Sequence, residues 1–391
     1  MSPGEGVNPR SPGYFGLELK DPVSSNEEMR ALRFIWSVLG ISILLCSCSE
    51  NADTPAGNEE VKSSEAGSSA VIPANQICEV ELHDPALGTL LDESVQLEVL
   101  AEGFEIAEGP VWVPSMRTLL FSDVRGNKIH HWSQEKGPGV FLSPGGHTGA
   151  VPFFEGGVLG SNGLALDPAG DLVICQHGDR RLAKLSFDNI TQEGLSTLVA
   201  TYEGKRLNSP NDLTVAPNGD IYFTDPPYGH CDIANSVPGE AMVFVNDKRE
   251  MPYCGIYRYE AATGEITLLS DQMDLPNGIT LSPDQKWIYV GSSDMQDPKM
   301  WRFSAEDGSG GVFFEGPYGE GDAGWFDGMK MHKSGNIFAT GPGGVLVISP
   351  EGKKLATIRL PDPVTNCCFD EKQEYLYVTA FAYVARFKLK K

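Results

Sequence analysis

The chain has 391 residues, of which 41% are hydrophobic, so it is long enough to bury a sizeable core. Its formal net charge of −23 argues against a nucleic-acid-binding protein, because phosphates require a basic surface on their partner. None of its eight cysteines belongs to a Cys-x-x-Cys pair, so a structural zinc site of that type is not expected.

The N-terminal residues have the features of an export signal. Two arginines precede an uncharged run of 13 residues, Phe34–Cys46, which is shorter than the roughly 20 residues of a membrane-spanning helix. The run leads into Leu45-Cys46-Ser47-Cys48, which resembles a bacterial lipobox. We therefore interpret 29–48 as a lipoprotein signal with Cys48 as the lipidated residue; an ordinary cleaved signal is the alternative.

The flanking residues complete a division of the chain. Residues 1–28 are interpreted as an over-extended start, with Met29 as the true first residue. Residues 49–75 are rich in Ser, Glu, Ala, Gly and Asn and are predicted to form a flexible tether. Residues 76–391 are predicted to form one folded domain. We expect export to the periplasm or cell surface, with membrane contact only through the lipid on Cys48.

A repeated unit dominates the folded region. Six times, a polar turn leads into a short run rich in β-branched and aromatic residues. Units of this length suit the four-stranded blades of a β-propeller, so we predict an all-β fold, a six-bladed β-propeller. The six units are Val113–Phe121, Asp167–Ile174, Ala216–Phe223, Ser282–Val290, His332–Ala339 and Asp370–Val378.

An oxygen-bearing side chain, here called a marker, stands just upstream of each turn. Asn-Gly pairs alone are ordinary turn signals, but equivalent positions in six blades are not needed to turn a chain. Side chains at one level of every blade can converge on the axis, so we predict a metal site at the centre of the top face. Carboxylates and amides suit Ca²⁺ best, with Mg²⁺, Mn²⁺ or Zn²⁺ as alternatives. The markers are Glu108, Asn162, Asn211, Asn277, Asp327 and Asn366.

Strand alternation predicts which loops share the marker face. The second strand of each blade returns to the marker end, so the long insertion 225–254 should lie there as a lid. The loop Ser143–Ser161, which contains His147, enters the same face, and so does His177. Cys231 and Cys254 bracket the lid, and in an exported protein we predict a disulfide between them.

The two ends of the folded region are expected to close the last blade together. Val95–Leu100 is strand-like but precedes the first marker. It can therefore pair with Tyr383–Leu389 and remove an exposed sheet edge.

Five motifs together resemble the gluconolactonase/regucalcin (senescence-marker protein) family of six-bladed propellers. They are Glu108-Gly-Pro-Val-Trp112, Ser209-Pro-Asn-Asp-Leu213, Thr224-Asp-Pro-Pro-Tyr-Gly229, Leu275-Pro-Asn-Gly-Ile279 and Asp327-Gly-Met329. The resemblance covers roughly 96–391 and is greatest to the bacterial gluconolactonase branch. It implies Glu108, Asn277 and Asp327 as core metal ligands and Asn211 as a ligand of metal or substrate. Ser209 stands where the animal branch carries a substrate-binding arginine.

The resemblance implies hydrolysis of sugar lactones. A bound metal can polarise a lactone carbonyl, and a carboxylate beside it can take a proton from water. We assign Asp327 as the base, with His177 assisting, and expect Asn162, Asn211, Tyr228 and His147 to contact the substrate. Lys205, Arg206 and His230 are weaker candidates. The alternatives are a related esterase or phosphotriesterase, or a non-catalytic cell-surface propeller that binds a sugar or a protein.

Overall fold

The structure is a computed structural model that describes residues 75–152, 157–232, 236, 242–319, 322 and 324–390. The interpreted start, signal and nearly all of the tether lie outside the described residues, so these assignments stay predictions. In the part of the chain that the structure describes, no helix is long and apolar enough to cross a membrane.

Two strands precede the first repeat. β1 (Asn75–Leu82) and β2 (Ser94–Glu102) pair antiparallel and are linked through a 3₁₀ helix at Pro85–Thr89. β1 begins at the last residue assigned to the tether, and the sequence analysis did not predict it.

Four sheets of four antiparallel strands follow, with neighbours in chain order. The first contains β3 (Ala107–Val113), β4 (Thr118–Asp123), β5 (Lys128–Ser133) and β6 (Gly137–Leu142). The second contains β7 (Ser161–Leu166), β8 (Leu172–Gln176), β9 (Arg181–Leu185) and β10 (Leu195–Val199). A small hairpin, β11 (Thr201–Tyr202) and β12 (Lys205–Arg206), separates it from the next sheet.

The third sheet contains β13 (Leu213–Val215), β14 (Ile221–Asp225), β15 (Gly255–Tyr259) and β16 (Ile266–Ser270). The fourth contains β17 (Pro276–Leu281), β18 (Trp287–Ser292), β19 (Met300–Ser304) and β20 (Gly310–Phe314). Short 3₁₀ helices occupy Pro114–Met116, Gln192–Gly194, Tyr228–His230 and Asn246–Lys248.

The last strands join the N-terminal pair in a nine-stranded sheet. They are β21 (Met329–Met331), β22 (Ile337–Gly341), β23 (Gly344–Ile348), β24 (Lys354–Ile358), β25 (Asn366–Phe369), β26 (Tyr375–Ala380) and β27 (Tyr383–Lys388). The order is β21-β22-β23-β24-β1-β2-β27-β26-β25. The predicted closure is confirmed, because β2 pairs antiparallel with β27 through Glu98 opposite Arg386.

The core lies between neighbouring sheets. The second strand of each unit is covered on both faces, which is why all six residues of β4 are buried. One apolar cluster joins Val173 and Leu182 of the second sheet to Phe223 and Tyr257 of the third. Full burial of such a side chain contributes about 1.5–3 kcal/mol, so the contacts between sheets hold the fold together.

The inner strands of the units form a cycle. β3 contacts β7, β7 contacts β13, β13 contacts β17, β17 contacts β21, β21 contacts β25, and β25 returns to β3. The architecture is therefore an all-β, propeller-like fold, with the first strand of each unit lining a central channel.

The predicted lid occupies the expected place in the chain. β14 ends at Asp225 and pairs with β15, which begins at Gly255, so the intervening loop leaves from the marker end. The loop packs against that end, since Gly229 N donates to Ser209 Oγ over 2.9 Å.

The disulfide prediction is wrong, because Cys231 and Cys254 are both free, buried thiols. Their chain positions bracket the lid, but the lid folds so that each sulfur has a different neighbour. Cys231 Sγ lies 4.0 Å from Ser236 Oγ, whereas Cys254 Sγ accepts a hydrogen bond from Arg249 over 3.4 Å.

Candidate active site

Glycines bring the markers together at one end of the channel. Four of the six markers are followed by a glycine, and a Cβ atom at any of these glycines would collide with the next unit. The glycines are Gly109, Gly163, Gly278 and Gly328. At Gly109 it would lie 1.9 Å from the Asn162 carbonyl oxygen, and at Gly278 it would lie 2.0 Å from the Asp327 carbonyl oxygen. The glycine after a marker is therefore required by close packing around the axis, and not only by a local turn.

Three asparagine markers form one chain of hydrogen bonds. Asn162 Nδ2 donates to Asn211 Oδ1 over 2.7 Å, and Asn211 Nδ2 donates to Asn277 Oδ1 over 2.5 Å. The chain continues from Asn277 Nδ2 to Ser293 Oγ over 2.7 Å. Buried amides held in this way have fixed orientations, which a binding site requires.

The two acidic markers are buried beside this chain. Burial, together with the negative charge of Asp212, raises the pKa of Glu108. Burial and the charge of Glu108 raise the pKa of Asp327 well above its ordinary value. Glu108 Oε2 accepts hydrogen bonds from Gly109 N and Asn366 Nδ2, over 2.5 and 3.0 Å. Trp325 Nε1 donates to Asp327 Oδ2 over 3.2 Å.

This donor set fits a hard divalent cation. Two buried carboxylates that repel one another are stabilised by a cation between them. Asn162 Oδ1 is a buried oxygen without a hydrogen-bond partner, as a ligand or substrate contact would be before loading. Among the described residues, no group of three or more His, Cys, Asp or Glu side chains could hold a metal. A metal bound here must therefore use amide oxygens as well as Glu108 and Asp327.

His177 lies against the asparagine chain and is buried. Its Nε2 is 3.1 Å from Asn211 Oδ1, so Nε2 carries the proton and donates. Burial lowers the pKa of His177 to about 4, which leaves the imidazole neutral at pH 7. The contact orients Asn211, and the low pKa makes His177 a weak proton acceptor.

Tyr228 and His147 approach the same end from the two loops. The rings of Tyr228 and His177 have centroids 6.5 Å apart, and burial raises the pKa of Tyr228, so its phenol stays protonated. His147 is clamped through its backbone by Asn127, and its Nδ1 lies 3.4 Å from Asp179 Oδ1. Its side chain keeps 18% exposure, so it remains within reach of a ligand.

The weaker basic candidates serve the loops. Arg206 donates to the backbone oxygen of Asp179 over 2.8 Å, and Lys205 is exposed. His230 is buried in the lid, where burial lowers its pKa to about 4. None of the three has a described hydrogen bond to a marker side chain.

Comparisons with known proteins identify the family. A sequence profile of the SMP-30/Gluconolactonase/LRE-like region matches residues 106–382. The chain belongs to this family.

Two curated relatives of the family match over most of their length. The gluconolactonase of Zymomonas mobilis is 37% identical over 317 residues, which cover 78% of this chain and 85% of that protein. The regucalcin of Xenopus laevis is 25% identical, covering 73% of this chain and 87% of that protein. Among solved structures, a gluconolactonase from Xanthomonas campestris superposes with a TM-score of 0.66 at 28% identity, covering 82% of this chain and 99% of that one.

Two charged residues in this family member were missed by the sequence analysis. Asp212 is 1% exposed and lies beside Asn366, and the Lys330 Nζ is 3.8 Å from its Oδ2. The available signal was strand alternation. Lys330 stands between two methionines in β21, three residues after a marker, so its side chain faces the channel.

Proposed function

We propose that the protein is a lactonase that opens sugar lactones in the manner of a gluconolactonase. The observation that carries this proposal is the buried pair Glu108 and Asp327, set among oriented amides at one end of the channel. The gluconolactonase of Zymomonas mobilis, at 37% identity, supports the same substrate class.

The proposed cofactor is a divalent cation, with Ca²⁺ preferred over Mg²⁺, Mn²⁺ or Zn²⁺. Glu108, Asn211, Asn277 and Asp327 would hold it, because they supply two charges and two amide oxygens. When bound, such an ion polarises the substrate carbonyl and stabilises the oxyanion that develops on it.

The chain's own residues supply the proton chemistry and the positioning. Asp327 accepts a proton from the attacking water, because it is a buried carboxylate at the marker end of the channel. Neutral His177 keeps Asn211 in place through the hydrogen bond from Nε2. Asn162, Tyr228 and His147 are proposed to contact the lactone from the ring and from the two loops.

We also propose that the fold has six blades, with the metal site at the centre of the top face. Four sheets with four strands each supply four blades. The nine-stranded sheet supplies two more, β21–β24 and β25–β27 with β2, joined by β1. The cycle of inner strands supports the same count.

The deciding experiment is reconstitution. Protein stripped of metal is loaded separately with Ca²⁺, Mg²⁺, Mn²⁺ or Zn²⁺ and assayed with a pH indicator against a panel of aldonolactones, aryl esters and phosphotriesters. We expect turnover of an aldonolactone that depends on the added ion. Turnover confined to aryl esters or phosphotriesters would favour the related-hydrolase alternative, and full activity of stripped protein would refute the metal.

We further propose that the protein is exported and anchored to the membrane through a lipid on Cys48. The support is the short apolar run before Leu45-Cys46-Ser47-Cys48. Cys48→Ala should abolish partition into a detergent phase, whereas the matched control Cys46→Ala should not. A wild-type protein that stays in the aqueous phase would refute the anchor.

A further inference from the structure

A charged layer lies below the markers on the channel axis. It consists of Asp212 and Lys330; together with the marker Asn366, which contacts Asp212, these residues are called the axial cluster. Asn366 Nδ2 lies 3.0 Å from Glu108 Oε2 and 3.4 Å from Asp212 Oδ2, so it links a marker carboxylate to a deeper one. The Lys330 Nζ is 3.8 Å from the same Asp212 oxygen.

The charges in this region balance in a particular way. Three buried carboxylates, those of Glu108, Asp212 and Asp327, act on one another electrostatically. The positive charge of Lys330 attracts the carboxylates of both Asp212 and Glu108. Burial lowers the pKa of Lys330, but neighbouring negative charges, chiefly that of Asp212, raise it further, so the net shift is upward. The positive charge of Lys330 cancels the negative charge of Asp212. The charges of Glu108 and Asp327 remain, and one divalent ion neutralises them.

The lysine also lies between Asp212 and the far end of the channel. The end of the channel away from the markers opens into a cavity of about 530 Å³. Lys330 lines this cavity, and its side chain keeps 24% exposure. Without the ammonium, a hydrated ion could reach Asp212 through this opening.

We propose that Lys330 is a built-in cation that occupies the second cation position of the channel and thereby limits the protein to one divalent ion. This inference rests on the proposed function, because it presumes that the markers bind a divalent ion. Lys330 is a positioning residue, because its ion pair is with Asp212 and its charge acts on Glu108 from across the channel. Its role is to fix the number of ions and hold Glu108 in place.

The test measures ion stoichiometry by titration calorimetry with Ca²⁺, without substrate. We expect one ion per chain for the wild type and two for Lys330→Met. The matched control is Lys333→Met, in the exposed turn that follows β21, which should bind one ion as the wild type does. The double variant Lys330→Met/Asp212→Asn should return to one ion, because both members of the ion pair are then neutral.

A second measurement covers the case in which Lys330→Met unfolds when free of metal. Its melting temperature, followed by tryptophan fluorescence, should then rise more on adding Ca²⁺ than that of the wild type, because its second ion also binds only the folded state. One ion and an unchanged Ca²⁺ response in Lys330→Met would overturn the inference alone. A wild type that binds no divalent ion would overturn the metal part of the proposed function, and this inference with it.

Discussion

The two ends of the central channel are built from the same six inner strands but have opposite character. At the marker end, the strands begin with buried amides and carboxylates joined by hydrogen bonds. At the other end, the same strands finish in apolar side chains such as Leu166, Val215 and Leu281, which line the cavity of about 530 Å³.

The connections between strands also differ in length at the two ends. The apolar end carries short turns fixed by their own side chains; Asp167 Oδ1, for example, accepts from Ala169 N and Asp171 N, each over 2.9 Å. The marker end carries the long loops, including the lid between Asp225 and Gly255. The chain thus places its short turns at one end of the channel and its long loops with the markers at the other, and the following variants test that separation.

Asp327→Asn should have the largest effect on turnover. The amide keeps an oxygen for the cation but cannot accept a proton, so the rate at saturating metal should fall by about a hundredfold or more. Steady-state kinetics at saturating Ca²⁺ measure this effect. Near-normal turnover would mean that Asp327 is only a ligand, and the base would then have to be sought elsewhere.

Glu108→Gln should affect cation affinity more than the rate. Loss of one negative ligand should cost at least as much as loss of an outer-shell partner, about 10- to 100-fold in affinity. Excess Ca²⁺ should recover much of the rate. Calorimetry and kinetics on the same preparation measure both quantities. A rate that stays low at saturating Ca²⁺ would assign Glu108 to the chemistry itself.

Cation affinity should depend on pH because burial raises the pKa of both acidic markers, Glu108 and Asp327, above their ordinary values. A cation requires the ionised carboxylates, so affinity should fall as pH drops below these raised pKa values, by up to about tenfold per pH unit for each displaced proton. An ordinary glutamate would be ionised throughout pH 6 to 8 and would give no such change. Titration at several pH values, with the fluorescence of Trp325 beside Asp327 as the signal, distinguishes the two cases.

Leu164→Ala should have the smallest effect on the reaction. Leu164 is 1% exposed, belongs to an apolar cluster and follows Asn162 by two residues in the same strand. Its truncation should cost about 2–5 kcal/mol of folding stability, while kcat and cation affinity remain those of the wild type. Asn162→Ala is the matched variant, and it should raise KM. Denaturant unfolding and steady-state kinetics measure both variants. A raised KM for Leu164→Ala, or a loss of folding stability confined to Asn162→Ala, would contradict the prediction.

The sequence by itself determined the repeat, the marker positions and the family, because each depends on short patterns that recur along the chain. It also predicted that β2 pairs with β27, because β2 precedes the first repeat and can cover the exposed edge of the last sheet. The glycines after the markers were visible as turn signals. Their packing role was not visible, because the atoms they approach belong to the next unit.

The tertiary structure alone decided the contacts between residues far apart in the chain. Cys231 and Cys254 bracket the lid in sequence, yet the fold of the lid gives each thiol a separate neighbour. Asp212 and Lys330 are 118 positions apart in the numbering, and only the closed channel brings their charges within 3.8 Å. A buried charge is stable only beside a partner. Local patterns show that such a charge is present, but only the packing of distant strands supplies the partner.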